Sequence, residues 1–419
     1  MNKRRWVLHI DGDGFFAYCE IARFPELRGK PVVAGEERGI ACAMTYEAKA
    51  LGITRGMPVF KIREQYPEVT ILPCHFELYE HYAQKLYKIL EDHIDLVERY
   101  SIDECFGLID LPSEWGERET QEWLNDLKKT VQVASGITYS FGLARTKVLA
   151  KVASKYQKPD GATVLWEYKE REVLAGIPIG ALWGIGYRMT PRLMGRGIKT
   201  ALHFLSLPEA HVVKEFATPI QSIWYELQGM NIFSVGEDHS LPKSLQSTRS
   251  FVPHSTSKSF VLAELMQNID IVTTRMRGYG VMTKAVSIFL KTSERRYQTV
   301  FTELPYYTDS PSIIAEAIRD KLTKLFKNNV RYKATGVTVW WLLPETMIPM
   351  DFFDIQKSVN EKGRVFSAVD AIREKFGQAS ISILSALPST LDREQKKTLR
   401  AKTDRYVRQL PLPYLGEVS

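Results

Sequence analysis

Four acids carry the first chemical signal in this chain. Asp11 and Asp13 lie in WVLHIDGDGFFAYCE, and Asp103 and Glu104 lie about ninety residues on in ERYSIDECFGLID, each pair where an apolar strand pattern ends. Mg²⁺ is a hard cation that prefers oxygen ligands, keeps several waters and is usually held by one or two carboxylates together with substrate phosphates. Acids brought together from separate strands could share two such ions. Between them the ions would activate an attacking hydroxyl and stabilise a pyrophosphate leaving group in an in-line displacement. The chemistry expected is two-metal phosphoryl transfer, although DxD and DE taken singly are common turn sequences.

The elements that must position these acids can be read from apolar spacing. Residues 6–10 alternate as a strand, and residues 16–22 follow as a helix through the turn Asp11-Gly12-Asp13-Gly14, where glycine lets backbone approach a ligand. A compact segment over 23–71 holds a strand at Pro31-Val32-Val33, a helix from Tyr46 to Leu51 and a turn at Gly56-Met57-Pro58. Leu78 to Ile94 has helical spacing, and Val97 to Ile109 reads as two strands joined at Ser101-Ile102-Asp103-Glu104, so that both acids project from one end of a sheet. A helix over 119–134, a strand over 138–142 and a helix over 146–156 complete a mixed α+β unit.

Residues 168–235 read as mainly helical. Within them Trp183-Gly184-Ile185-Gly186 and Gly195-Arg196-Gly197-Ile198 resemble a helix-hairpin-helix, whose glycine turn lays backbone amides against a phosphate; an ordinary turn between helices has the same appearance. A polar linker over 236–245 precedes strands at 247–252, 283–291, 296–302 and 334–342, with helices near 260–277 and 311–326, which together spell a βαββαβ unit. From Pro344 a tail follows with one amphipathic helix bearing Val365, Phe366, Val369, Ile372 and Phe376.

Composition narrows the function. A chain of 419 residues exceeds what one core usually holds and suggests three or more compact units, and 44% apolar with 25% charged residues is ordinary for a globular protein. The formal charge is +7, and residues 244–343 alone hold 14 Lys plus Arg against 7 Asp plus Glu, so one module carries the whole excess. A concentrated basic module favours a polyanion such as nucleic acid, a solvated surface being the alternative. Cys19, Cys42, Cys74 and Cys105 have no CxxC spacing and no His pair nearby, which speaks against a zinc site and for buried thiols in a reducing compartment. No signal-peptide pattern and no run of eighteen apolar residues is present, so a cytoplasmic protein without a membrane partner is expected.

The order of these motifs resembles the Y-family translesion DNA polymerases, and the UmuC-like branch more than the DinB branch. The resemblance rests on HIDGDGFFAYCE, TYEAKALGITRGMPVF, FELYEHYAQ, YSIDE, SFGLARTKVLAKVASKYQKPDG, WGIGYRMTPRLMGRGIKT, and LKTS followed by RYKATGV, in family order over about residues 5–343. It implies an α+β right-hand polymerase with a palm (1–22 and 72–167), small fingers (23–71), a helical thumb (168–235), a linker (236–246), a βαββαβ little finger (247–343) and a C-terminal tail (344–419). The implied activity is error-prone, template-directed synthesis past damaged bases on primer-template DNA from dNTPs, in the setting of an SOS response.

The same resemblance assigns roles. Asp11, the Gly12 carbonyl, Asp103 and Glu104 would hold two Mg²⁺, while Asp13 sits near the site without ligating. Phe16 would be a steric gate against the ribose 2′ hydroxyl, where many relatives have Tyr. Tyr46, Lys49 and Lys158 would reach the triphosphate, Lys49 standing where many relatives have Arg. Gly184, Gly186, Arg249 and Arg331 would meet DNA backbone. Two tail stretches, Pro349-Met350-Asp351-Phe352-Phe353 and Gln409-Leu410-Pro411-Leu412-Pro413-Tyr414, offer Met350, Phe352 and Phe353, and Gln409, Leu410 and Leu412, to a sliding clamp, and a UmuD-like accessory subunit is a further expected partner. Two other readings stay open: a non-catalytic damage-response subunit that keeps the fold, and another palm enzyme such as a nucleotide cyclase, which would need no duplex grip.

Overall fold

The computed structural model describes residues 3–236, 241–348, 355–376 and 381, without the side chains of residues 252 and 355–364. The tail residues Met350, Phe352, Phe353, Gln409, Leu410 and Leu412 lie outside the described residues. The described chain falls into two compact units that divide between residues 236 and 241.

The first unit runs β1 (Lys3–Gly12), α1 (Phe15–Arg23), β2 (Val32–Ala34), β3 (Ala43–Met44), α2 (Tyr46–Ala50), α3 (Val59–Gln65), β4 (Thr70–Leu72), α4 (Phe76–Glu91), β5 (Leu96–Arg99), β6 (Glu104–Pro112), α5 (Glu117–Ser135), β7 (Tyr139–Ala144), α6 (Lys147–Tyr156) and β8 (Ala162–Val164). Five helices follow: α7 (Glu167–Gly176), α8 (Met189–Met194), α9 (Ala201–Leu205), α10 (Glu209–Glu215) and α11 (Thr218–Leu227). A five-stranded sheet in the order β5-β6-β1-β7-β8 places β1 near its centre, antiparallel to β6 and β7.

Because β1 is covered on both faces, its last seven residues are all buried, and period-2 alternation sorts them. Trp6, Leu8 and Ile10 join Tyr79, Leu86, Leu124 and Phe141 in a core under the helices α1, α4 and α5. Val7 joins Phe106, Val148 and Val152 in a second core beneath α6, which continues into the helices after β8 through Leu174, Phe204 and Leu227. Asp11 therefore shares its side of the sheet with Val7 and His9, facing α6. Helix α6 lies close because β7 carries Gly142: a Cβ there would stand 2.2 Å from the Ser154 backbone N and 2.3 Å from the Ala150 carbonyl. A separate three-stranded sheet, β3-β2-β4, packs with α2 and α3 around Val33, Met44, Ala48 and Ile62.

The second unit runs β9 (Ser244–Ser255), α12 (Lys258–Gly278), β10 (Val281–Thr292), β11 (Tyr297–Thr308), α13 (Pro311–Leu325) and β12 (Tyr332–Pro344). This is the βαββαβ order expected, with longer strands. The sheet order is β11-β10-β12-β9, and Val261, Leu265, Ile314 and Ile318 of the two helices pack on Val286, Ile288 and Val337. Helix α14 (Ile355–Phe376) joins this unit through a buried and a partly buried ion pair: the Arg373 guanidinium donates to both Asp270 oxygens at 3.1 and 2.8 Å, and Arg277 Nε donates to Asp370 at 2.5 Å. Among the described residues no helix is long and apolar enough to cross a membrane.

Candidate active site

The β1–β6 ladder places Asp11 directly opposite Glu104. Each carboxylate has its own ammonium: Lys158 Nζ stands 2.5 Å from Asp11 Oδ1, and Lys151 Nζ 2.9 Å from Glu104 Oε2. Burial raises the Glu104 carboxyl above its usual range; Lys151 opposes this, and the nearby Asp11 charge adds to it. Lys158 also donates to the Gly12 carbonyl at 3.3 Å, so its ammonium occupies the point where the Asp11 carboxylate and that carbonyl converge. A positive charge therefore already fits the pair of oxygens expected to hold metal. The all-oxygen donor set suits Mg²⁺ rather than a soft metal.

Asp103 lies on the bend before β6, where its carboxylate accepts the Ser101 hydroxyl at 2.7 Å and its carbonyl accepts the Gly12 N–H at 2.9 Å. Its charge is felt by Cys19, Tyr87 and Tyr139, on the side of the sheet away from α6. The structure thus joins Asp11 to Glu104 and holds Asp103 on the neighbouring turn. Among the described residues no three His, Cys, Asp or Glu side chains converge to enclose an ion. Asp13 is fully buried, and its carboxylate accepts the Ser140 hydroxyl and the Asp160 N–H, both at 2.8 Å. It fixes the loop that carries Lys158.

Phe16 projects from the first turn of α1, half-exposed. Its ring stacks on Tyr79 with centroids 4.3 Å apart and planes 9° from parallel, and meets Phe76 edge-on at 5.5 Å. Tyr79 is itself anchored, its hydroxyl donating to Glu20 at 2.6 Å. Across from it, Thr45 caps α2 by accepting the Ala48 N–H and so presents Tyr46 and Lys49 from one short helix. The Lys49 ammonium lies 4.0 Å from the Tyr46 ring centroid. Burial, then Asp13 and Asp11, push the Tyr46 hydroxyl well above its usual range; partial desolvation, then Lys158, hold the Lys49 ammonium below its own. Tyr46, Lys49 and Lys158 accordingly surround the Asp11 end of the ladder.

Sequence reading passed over the inner face of α6. Lys147, Lys151 and Lys155 recur every fourth residue, Lys147 and Lys151 each 5% exposed and Lys155 at the exposed end of the row. Lys147 pairs with Glu98 at 2.5 Å, and the Lys155 ammonium is held low by desolvation and then by Lys151. His9 Nδ1 meets the Ser154 hydroxyl at 2.7 Å, while its Nε2 has no hydrogen-bond partner among the described residues. The visible signal was the 147-151-155 spacing in TKVLAKVASK.

Gly184 has φ +85°, and a Cβ on it would lie 2.5 Å from Ile223 Cδ1; a Cβ on Gly186 would meet nothing within 4 Å. Gly186 is open to a ligand, and Gly184 shapes the turn. In the second unit, Arg249 Nε lies 3.2 Å from Glu264 of α12, which engages it on the helix side of the sheet. Arg331 is exposed in the loop before β12, with its carbonyl accepting the Ser293 N–H at 2.8 Å.

Residues 10–155 match the impB/mucB/samB family, and residues 242–349 match that family's C-terminal domain. A protein named DNA polymerase IV from Moorella thermoacetica is 31% identical over 389 residues, spanning 90% of this chain and 94% of its own. Protein UmuC of Salmonella typhimurium is 28% identical over 387 residues, spanning 88% and 91%. A solved Y-family DNA polymerase chimera superposes with a TM-score of 0.65 at 20% identity, covering 81% of this chain and all of its own, which shows the shared fold.

Proposed function

The chain belongs to the impB/mucB/samB family of Y-family DNA polymerases, and from that membership we propose that it extends primers across damaged template bases with two Mg²⁺ held by Asp11, the Gly12 carbonyl, Asp103 and Glu104. When bound, those ions supply activation of the primer 3′ hydroxyl and neutralisation of the pyrophosphate leaving group. The observation that carries the reading is the Asp11–Glu104 pair, set face to face on adjacent strands and already holding cations. A DNA-binding adaptor gains nothing from a close acid pair whose repulsion must be offset.

The remaining side chains divide the work. Tyr46, Lys49 and Lys158 bind the triphosphate, with Lys158 moving from Asp11 to phosphate as metal takes its place. Phe16, held flat by Tyr79, excludes a 2′ hydroxyl. Gly186 and Arg331 meet DNA backbone, while Arg249 remains with Glu264. Three short strands and two short helices make up the segment that would cover the nascent base pair, too little protein to test its shape closely, which favours low fidelity. The tail peptides at 349–353 and 409–414 would dock on a sliding clamp. Relatives named DNA polymerase IV and UmuC match at similar identity, so a UmuD-like partner is proposed on the second name alone.

The test is primer extension with Mg²⁺ and each dNTP on undamaged and abasic templates. Insertion opposite the abasic site supports the reading; extension that stops at the lesion, with or without a sliding clamp, would restrict the protein to ordinary synthesis.

A further inference from the structure

An ammonium as enclosed as Lys151, 5% exposed, must be offset by its surroundings. Three groups do this. Glu104 Oε2 lies 2.9 Å from Nζ, and the ring centroids of Tyr100 and Trp183 lie 4.6 and 5.4 Å away. The two rings are fixed to each other, since the Trp183 indole N–H donates to the Tyr100 hydroxyl at 3.0 Å and the rings meet edge-on at 5.6 Å. Trp183 packs further on Phe106, two residues beyond Glu104 on β6, with centroids 5.8 Å apart. It directly precedes Gly184, so it belongs to the turn proposed to meet the duplex.

We propose that Lys151 is a positioning residue that sets the orientation of Glu104 and couples it to the turn carrying Trp183. Lys151 fixes one Glu104 oxygen and leaves the other for the cation shared with Asp11. The Tyr100–Trp183 pair fixes where the ammonium can sit, because a cation leaving the ring faces in a desolvated site loses their attraction. A displacement of the Trp183 turn by bound duplex moves Lys151, and Glu104 with it, so grip on DNA is transmitted to the metal site. This rests on the polymerase reading above.

The experiment compares wild type, Lys151→Met, Lys151→Arg, Trp183→Leu and the Lys151→Met/Trp183→Leu double variant. Steady-state extension gives kcat and the dNTP KM, fluorescence anisotropy gives DNA affinity, and electron paramagnetic resonance of free Mn²⁺ gives metal affinity of the protein–DNA complex without dNTP. Lys151→Met is expected to lower kcat about tenfold with KM and DNA affinity unchanged within about twofold, and to weaken Mn²⁺ binding about threefold. Lys151→Arg, which keeps both the ion pair and the ring contacts, restores kcat to within about threefold of wild type. The double variant is no slower than Lys151→Met alone, because the indole acts only through the ammonium.

Unchanged kcat and Mn²⁺ affinity in folded Lys151→Met, or strictly additive losses in the double variant, would overturn the proposal. Should Trp183→Leu fail to fold, Trp183→Phe keeps a ring while losing the bond to Tyr100 and serves in the same cycle. If wild type itself extends no primer, the polymerase reading fails, and the Mn²⁺ measurements still decide whether Lys151 positions Glu104.

Discussion

Asp11 and Glu104 are register partners on adjacent antiparallel strands, and each carries a lysine ammonium on one carboxylate oxygen. The two lysines come from either end of one stretch, Lys151 from within α6 and Lys158 from the loop after it. Each acid of the pair is thereby matched by a cation that the protein itself provides. The Lys158 side chain is 19% exposed and that of Lys151 only 7%.

Phe16 should set sugar selectivity. Replacing it with Ala opens the space beside Tyr79 and is expected to raise ribonucleotide insertion relative to deoxyribonucleotide by about tenfold or more, roughly 1.4 kcal/mol of lost discrimination. Single-nucleotide insertion kinetics with matched rNTP and dNTP measure it. An unchanged ratio would remove Phe16 from the gate.

Lys49 should make triphosphate binding sensitive to alkaline pH. Desolvation and the neighbouring Lys158 depress its pKa. The ammonium is charged below that value, so the charge is lost at a lower pH than an ordinary lysine would require. The dNTP KM should therefore rise at a lower pH than the loss of charge on an unperturbed lysine, near 10.4, would produce. Lys49→Arg should hold KM flat over the pH range of that rise, and a rise that persists in that variant assigns the effect elsewhere.

Gly184 and Gly186 should separate fold from binding. Gly184→Ala forces a side chain into the left-handed region and against Ile223, and should cost about 1–2 kcal/mol or more, read as a lowered Tm. Gly186→Ala meets nothing and should leave Tm unchanged while weakening duplex binding. Equal effects on DNA affinity at constant Tm would contradict the distinction.

His9 should make the first unit labile to acid. Burial, then Lys151, Lys155 and Lys158, hold its pKa well below the ordinary 6.5. The unfolded chain takes up a proton near that value and the folded one does not, so the contribution is complete above it and falls as pH drops through it. The slope approaches about 1.4 kcal/mol per pH unit for this one group. Glu104, raised in the fold, acts with the opposite sign at lower pH. Urea unfolding at about pH 7.5 and 5.5 should show a drop in wild type that is reduced in His9→Asn, whose side-chain amide can still hydrogen-bond the Ser154 hydroxyl.

What could be read in advance was local. Asp11 closes one apolar strand run and Glu104 opens another, which already puts them at one end of a sheet; the βαββαβ unit was likewise legible because its strands and helices differ in period over more than ten residues each. Lys151 was not, because its meaning depends on Glu104 across 47 positions and on a ring from a different part of the chain. The Asp103 bond to Ser101 depends on the shape of a tight bend, which spacing does not specify. Arg249 was expected near DNA backbone, and its pairing with Glu264, 15 residues on in α12, is not visible in the spacing of its own strand.

The most direct test of the metal-site claim is Mg²⁺-dependent primer extension by wild type, Asp11→Ala and Glu104→Ala, with duplex affinity measured in parallel. The account predicts extension by wild type that EDTA abolishes, loss of at least about a thousandfold in either variant (roughly 4 kcal/mol), and DNA binding preserved. Variants that keep extending primers at near wild-type rates would show that the Asp11–Glu104 pair is not where the chemistry occurs.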